Sequence, residues 1–157
     1  MNTKLIALAM GVAAVTACRM NSLVSPRDGV TQRGIYNRPS SGIDARAGVI
    51  ILDQPSWEAA WHVVVANYAP GQKPPLPAVN FETHVVLLAA AGMTTTQLLS
   101  FRINDVRVGP EGLAVSVDVV SPECGSLPVI TTPVDIISVP RLETRAQFTF
   151  VDRTAEC

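Results

Sequence analysis

Only two histidines and three cysteines occur in these 157 residues. His62 and His84 have no ligand spacing with any cysteine, and neither an H-E-x-x-H run nor a paired-cysteine zinc pattern is present. There is no G-x-S-x-G nucleophile turn and no glycine-rich phosphate loop. The sequence therefore offers no metal, no cofactor and no serine-hydrolase signature. Cationic clusters are missing too: the ten arginines are scattered, which does not suggest nucleic-acid binding. No apolar run reaches the about 20 residues a membrane-spanning helix needs.

What is present starts at the front of the chain. Lys4 is the only charge before Cys18, and "LIALAMGVAAV" follows it without a polar side chain. A lone cation and a short apolar run are the layout of a secretory signal peptide. Val15, Thr16 and Ala17 then precede Cys18, and small residues before a cysteine resemble the lipobox of bacterial lipoproteins. That resemblance implies cleavage after Ala17, a diacylglyceryl group on the Cys18 thiol and acylation, such as palmitate, of the new amine. Each buried methylene contributes about 0.8 kcal/mol, so several acyl chains hold where one does not. Ordinary cleavage with an unmodified cysteine is the alternative. Arg19 stands where an aspartate favours inner-membrane retention, which tilts the expected location toward the outer membrane.

The expected organisation is a signal peptide over 1–17, a tether over 18–39 and one domain over 40–157. Without Lys4 the balance is 11 basic to 13 acidic residues. Cys124 and Cys157 remain, and in a secreted chain they suggest a disulfide, with two free thiols as the alternative. Residues 19–46 mix Ser, Pro, Gly, Asn and Arg, with a short edge strand in "GVTQRGIYN".

The pattern predicts a mainly β (α+β) fold: an antiparallel sheet or sandwich of five to seven strands with one amphipathic helix. "GVIIL" (48–52) reads as a strand. Pro55 and Ser56 open a helix with Glu58 in its first turn, and Trp57, Trp61, Val64, Val65 and Tyr68 form its apolar face. A ligand platform and a helix packed on a sheet are the two readings of that face, the second carrying more weight. His62 falls off the stripe. "APGQKPPLP" (69–77) is a loop, and "HVVLLAAA" (84–91) suits a strand covered on both faces, with a helix as the alternative. "LLSFRI" places Leu99, Phe101 and Ile103 on one side, with a bulge near Asn104–Asp105 to restore parity. "GPEG" (109–112) makes a hairpin. Leu113, Val115, Val117 and Val119 point inward. Pro133 inside "VITTPVDIISV" marks a bulge or an edge. Ala146, Phe148 and Phe150 share a side. Asp105, Asp118 and Asp135 read as solvent-facing alternates.

Six segments together resemble the C-terminal domain of the protease complex subunit PrcB family. They are "SGIDARAGVIILDQPSWEAAW", "PAVNFETHVVLLAAAGM", "SFRINDVRV", "LAVSVDVVSPECG", "TTPVDIISVPR" and "QFTFV", spanning roughly residues 40–152. The resemblance implies a small secreted or lipid-anchored protein that associates with a protease and has no enzymatic activity of its own. Such relatives carry "TGGY" after the glycine of "AAAG"; here the stretch is "MTTTQLLSF". Met93, Thr94, Thr95, Thr96 and Gln97 are therefore the candidate partner-binding loop, with a plain strand connection as the alternative.

The expected function is a non-catalytic protein-binding module of the bacterial envelope. Its partners are the membrane, through lipid, and a protein, plausibly a protease; no small-molecule substrate is evident. The alternatives are a structural envelope lipoprotein without a client and a hydrolase whose site the sequence does not mark.

Overall fold

The computed structural model describes residues 29–124 and 128–156. The expected signal peptide, Cys18, the first part of the tether and Cys157 lie outside the described residues. In chain order the elements are β1 (Arg33–Arg38), β2 (Ala47–Ile51), α1 (Gln54–Val64), β3 (His84–Ala90), β4 (Thr94–Thr96), β5 (Ser100–Gly109), β6 (Gly112–Pro122), β7 (Pro128–Thr131), β8 (Val134–Pro140) and β9 (Ala146–Ala155). The protein is mainly β with one helix, as the alternation predicts. Seven strands build two sheets, ordered β1-β8-β3-β2 and β5-β6-β9, and β4 and β7 add a short ribbon that the sequence pattern does not foretell.

β3 and β8 are the inner strands of the four-stranded sheet, and both are apolar at successive positions because both faces are covered. Val85, Leu87 and Ala89 join Ile137 and Val139 in a core shared with Phe101, Ile103, Val106, Leu113, Val115, Val117 and Val119 of β5 and β6. The opposite parity, Val86, Leu88, Ala90, Val134 and Ile136, packs on α1. The layers are thus helix, four-stranded sheet, three-stranded sheet. The four inward residues expected on β6 all lie in the first core. β9 runs parallel to β6 and antiparallel pairing holds elsewhere. A parallel neighbour cannot be joined by a tight turn. Here β7 and β8 intervene between β6 and β9.

α1 begins one residue earlier than the Pro-Ser signal suggests. Asp53 is its N-cap, accepting from the Ser56 backbone N–H at 2.8 Å, with Pro55 at the second helical position. Glu58 sits beyond the first turn, where its oxygen accepts from Gln54 one helical turn back at 2.9 Å, so the expected interaction with the helix dipole gives way to a side-chain pair. The aromatic stripe is packing rather than a platform. Trp57 and Trp61 are buried against the sheet, their indole N–H groups donating to Pro77 O (2.9 Å) and Pro74 O (3.3 Å) of the proline-rich loop. Tyr36 of β1 meets Trp61 edge-on at 5.0 Å. His62 is exposed, as expected.

Three further expectations are revised. The folded body reaches back past residue 40, through the edge strand expected in "GVTQRGIYN": β1 pairs with β8, and Val30 is buried with its N–H on Val106 O at 2.9 Å. Pro133 makes neither a bulge nor an edge; it separates β7 from β8, which is internal. Proline offers no N–H to a ladder, so the run breaks there. Leu99 precedes β5 and is exposed rather than sharing the face of Phe101. The β5 bulge itself stands where expected, with the register slipping between Ile103 and Asp105. Gly48 of β2 lets the second sheet close down: a Cβ there would lie 2.2 Å from the Phe148 ring.

Candidate functional site

The expected loop over residues 93–97 is in part a strand. Gly92 turns the chain with φ +77°, and a Cβ at that position would fall 2.6 Å from the Arg46 nitrogen, so glycine alone fits. The Met93 N–H then donates to Asp44 O at 2.9 Å. Thr94–Thr96 form β4, antiparallel to β7, with the Thr94 and Thr131 hydroxyls 2.7 Å apart. β-branched threonines suit a pleated ribbon as glycines would not. Met93, Leu99, Val129 and Ile130, on the ribbon and its flanks, are all exposed, Ile130 at 73%. Large apolar side chains gathered on one element mark a contact surface more often than ones scattered singly.

Beside the ribbon lies a cleft of about 370 Å³. Asn37, Arg38 and Pro39 at the end of β1 form one wall. Gln97 to Arg102, running into β5, form another, and Thr131 and Pro133 close it. Arg38 and Arg102 are among its lining residues and no Asp or Glu is; the Arg38 guanidinium sits over the Tyr36 ring, 5.8 Å from its centroid. Of the expected loop, only Gln97 is among its lining residues; Met93 and Thr94 to Thr96 are not.

The ground beneath the cleft is polar and ordered. Asp135 was expected to face solvent, yet it is 6% exposed. Its odd position on β8 turns it toward the three-stranded sheet, where its carboxylate accepts from the Ile103 N–H at 2.6 Å and from Asn37 Nδ2 at 3.0 Å. Asn37 Nδ2 also donates to Phe101 O at 2.9 Å. The two side chains thus stand in for a neighbouring strand along the free edge of β5, satisfying a carbonyl and an N–H. Burial pushes the Asp135 carboxyl above its ordinary range; the hydrogen bonds from Asn37, Ile103 and Ile136 and the nearby Arg102 charge oppose that rise.

Asp118 is the second correction. It is 7% exposed on β6, with Arg153 at 3.6 Å, and its Oδ1 accepts no hydrogen bond among the described residues. Asp105 fits its expectation better, partly exposed with Arg107 Nε at 2.6 Å. Across the molecule Arg46 grips Asp152 through two bonds of 2.9 and 3.0 Å, which holds the Asp152 carboxyl below its ordinary range. Tyr36 and Tyr68 share a 2.7 Å hydroxyl contact. Burial, then the Tyr68 hydroxyl, pushes the Tyr36 phenol up to about 12.

A second groove, about 530 Å³, is walled by Arg33, Asn80, Thr83, His84 and Ser138 among others. His84 Nδ1 lies 2.8 Å from Thr83 Oγ1, and no hydrogen bond joins His84 to Ser138. Among the described residues no group of three or more His, Cys, Asp or Glu could hold a metal ion, and no helix is long and apolar enough to cross a membrane.

Cys124 stands two residues past the end of β6, after Glu123, and is disulfide-bonded, its partner lying outside the described residues. The β6–β9 register keeps one offset from Leu113↔Ala146 to Pro122↔Ala155, and the Glu123 N–H continues it to Ala155 O at 3.0 Å.

Sequence reasoning missed Asn37, Arg38 and Arg102. Alternation alone turns Arg102 away from the core between Phe101 and Ile103, but nothing in the chain brings residue 38 beside residue 102. Compared with known protein families, with curated proteins and with solved structures, the chain matches none.

Proposed function

We propose that this chain is a lipid-anchored protein of the bacterial envelope, probing or holding a protein partner as a non-catalytic accessory module, with a protease as the partner class. One observation carries the reading: the β4–β7 ribbon exposes Val129 and Ile130, with Met93 just before it, beside an open cleft, in a fold that covers both faces of β3 and β8. A two-stranded ribbon with apolar side chains in water is poorly stabilised on its own and gains from a covering partner. The resemblance of the six segments to the protease-associated family supports the partner class. The lipobox-like approach to Cys18 supports the anchor. For the disulfide, the bonded state of Cys124 and the secretory context of the expected leader support the pairing with Cys157.

The test is site-specific photo-cross-linking in intact envelopes. A photoreactive residue at Ile130 is expected to yield one discrete adduct with a protein. The same residue at Val63, exposed on α1 on the other side of the four-stranded sheet, is expected to yield none. Equal labelling from both sites, or none from either, rejects the accessory reading. Cys18→Ala is expected to move the protein from the membrane pellet to the soluble fraction; retention in the pellet rejects the lipid anchor.

A further inference from the structure

We infer that the domain hangs from its anchor by the end opposite the β4–β7 ribbon, so that the ribbon is the membrane-distal tip and meets a water-exposed protein domain standing off the bilayer. This rests on the anchor and accessory readings above and names where the contact is made.

Chain polarity carries the inference. Gly29, the first described residue, lies beside Asp105, where a Cβ on it would fall 4.0 Å from Asp105 Oδ1. Val30 is fixed by its N–H on Val106 O at 2.9 Å and by burial in the core. Both contacts lie in the half of β5 that runs into the Gly109–Gly112 turn. From there the chain climbs away: β1 sets Arg33 against Ser138 first and Arg38 against Val134 last. The same end gathers His84 of β3 opposite Pro140 of β8. It also holds the approach to α1, where Arg141 Nη1 donates to Leu52 O at 3.0 Å, and the β8–β9 connection, where the Leu113 N–H donates to Arg145 O at 2.9 Å.

The ribbon stands at the other end. The Ala91 N–H donates to Pro133 O at 2.9 Å, and the Leu99 N–H to Val120 O at 2.8 Å, so the segments flanking β4 and β7 are tied to the start of β8 and the end of β6. The disulfide-bonded Cys124 lies between β6 and β7, which holds the chain just before the ribbon. The Glu123 N–H on Ala155 O brings the end of β9 to this tip as well. The described chain thus enters at one end of the layered body and finishes at the other.

β5 measures the separation: Ser100–Gly109, at about 3.3 Å per residue, spans about 30 Å. Residues 18–28 bridge at most about 40 Å at full stretch, so the tip reaches to about 70 Å from Cys18. The scattered arginines offer no basic face to draw another side of the domain onto an anionic bilayer, which leaves the point of attachment to set the orientation. The ribbon strands, "TTT" and "PVIT", carry no aromatic and no basic side chain, the usual companions of an apolar face that lies among lipid headgroups. A protein surface is the better cover for Val129 and Ile130.

The experiment holds the mature chain, residues 18–157, by a histidine tag ahead of residue 18 on phosphatidylcholine vesicles containing a nickel-chelating lipid and an acceptor-labelled headgroup. A fluorescent amino acid replaces Val108, at the hairpin end, or Ile130, in the ribbon; both positions are exposed, and both variants are expected to keep the parent's unfolding midpoint. The separation of about 30 Å is expected to make energy transfer from position 108 about twofold more efficient than from position 130. Moving the tag behind Cys157 is expected to reverse that order. Equal transfer from the two positions, stronger transfer from position 130 with the tag in front, or a blue-shifted emission showing position 130 inside the bilayer overturns the inference. In intact envelopes, the partner peptide cross-linked from Ile130 is expected to map to a water-exposed domain; a peptide from a membrane-spanning segment overturns it too. Because the tag supplies the attachment, the outcome is separate from natural acylation, which Cys18→Ala fractionation judges. The expected transfer order without an adduct at Ile130 keeps the orientation and removes the accessory reading; an adduct with equal transfer does the reverse.

Discussion

The segment "VITTPVDIISV" contains two strands of nearly the same composition with opposite fates. Ile130 of β7 is 73% exposed, while Ile136 of β8 is fully buried. Both are β-branched and both lie in a run that reads as one strand. The difference is neighbours. β8 has β1 and β3 beside it, α1 on one face and the three-stranded sheet on the other, whereas β7 has only β4. Burial is therefore a property of what surrounds a strand, and the exposed half of this pair is where a partner has something to gain.

That contrast is most simply broken by paired truncation. Ile136→Ala is expected to cost about 2–5 kcal/mol, because the cavity is walled on both faces by packed side chains. Ile130→Ala is expected to stay within about 0.5 kcal/mol. Urea unfolding of the two variants reads the difference directly. Equal costs would mean that the ribbon is packed after all.

The next largest effect concerns how β7 is reached. If Cys124 is bridged to Cys157, the loop closed is long, and Cys157→Ser is expected to destabilise the protein by about 3–4 kcal/mol in the chain-entropy picture. Non-reducing peptide mapping should show the two cysteines joined. Free, alkylated thiols, with a stability unchanged by Cys157→Ser, would remove the bridge.

The smallest effect sharpens the comparison at the corner where the buried and open regions meet. Asp135→Ala leaves the Ile103 N–H and the Asn37 amide without their acceptor, an expected loss of about 1–3 kcal/mol. Its carboxyl titrates above the ordinary range, so the native state holds that proton to higher pH than the unfolded chain does. The group's contribution is then fullest below its ordinary pKa of about 4 and declines as pH rises toward its folded value. Measured against Asp135→Asn, which cannot titrate, the parent should lose relative stability as pH climbs through that window. A relative stability that rises with pH would contradict the burial argument.

Much of the frame was legible. The clean alternation of Leu113, Val115, Val117 and Val119 and the parity slip at Asn104–Asp105 identified β6 and the β5 bulge, because inward positions repeat with period two. The unbroken apolar run from Val85 announced a strand covered on both sides. Asp53 was legible in principle: an aspartate three residues before Ser56 is an ordinary helix cap, overlooked beside the more conspicuous Pro55. Asp118 and Asp135 were misread for a different reason. A lone carboxylate in an alternating strand ordinarily faces water; these two are covered because Arg153 and the Asn37–Ile103 pair come from remote parts of the chain.

The cleft was not legible at all. Its two arginines are ordinary scattered cations in the sequence, and only the fold brings Arg38 of β1 and Arg102 of β5 to the lining of one space.

The amino-acid sequence by itself determined the class of fold, the inward faces of β3, β6 and β9, the site of the bulge and the helix with its two tryptophans. Those are consequences of short-range periodicity and local sterics. The tertiary structure alone decided that Pro133 divides one apolar run into a buried strand and an exposed one, that two carboxylates lie inside, and that Arg38 and Arg102 share a cleft. Each depends on which distant segments pack together, and pairing between remote residues leaves no mark in the local pattern of the chain.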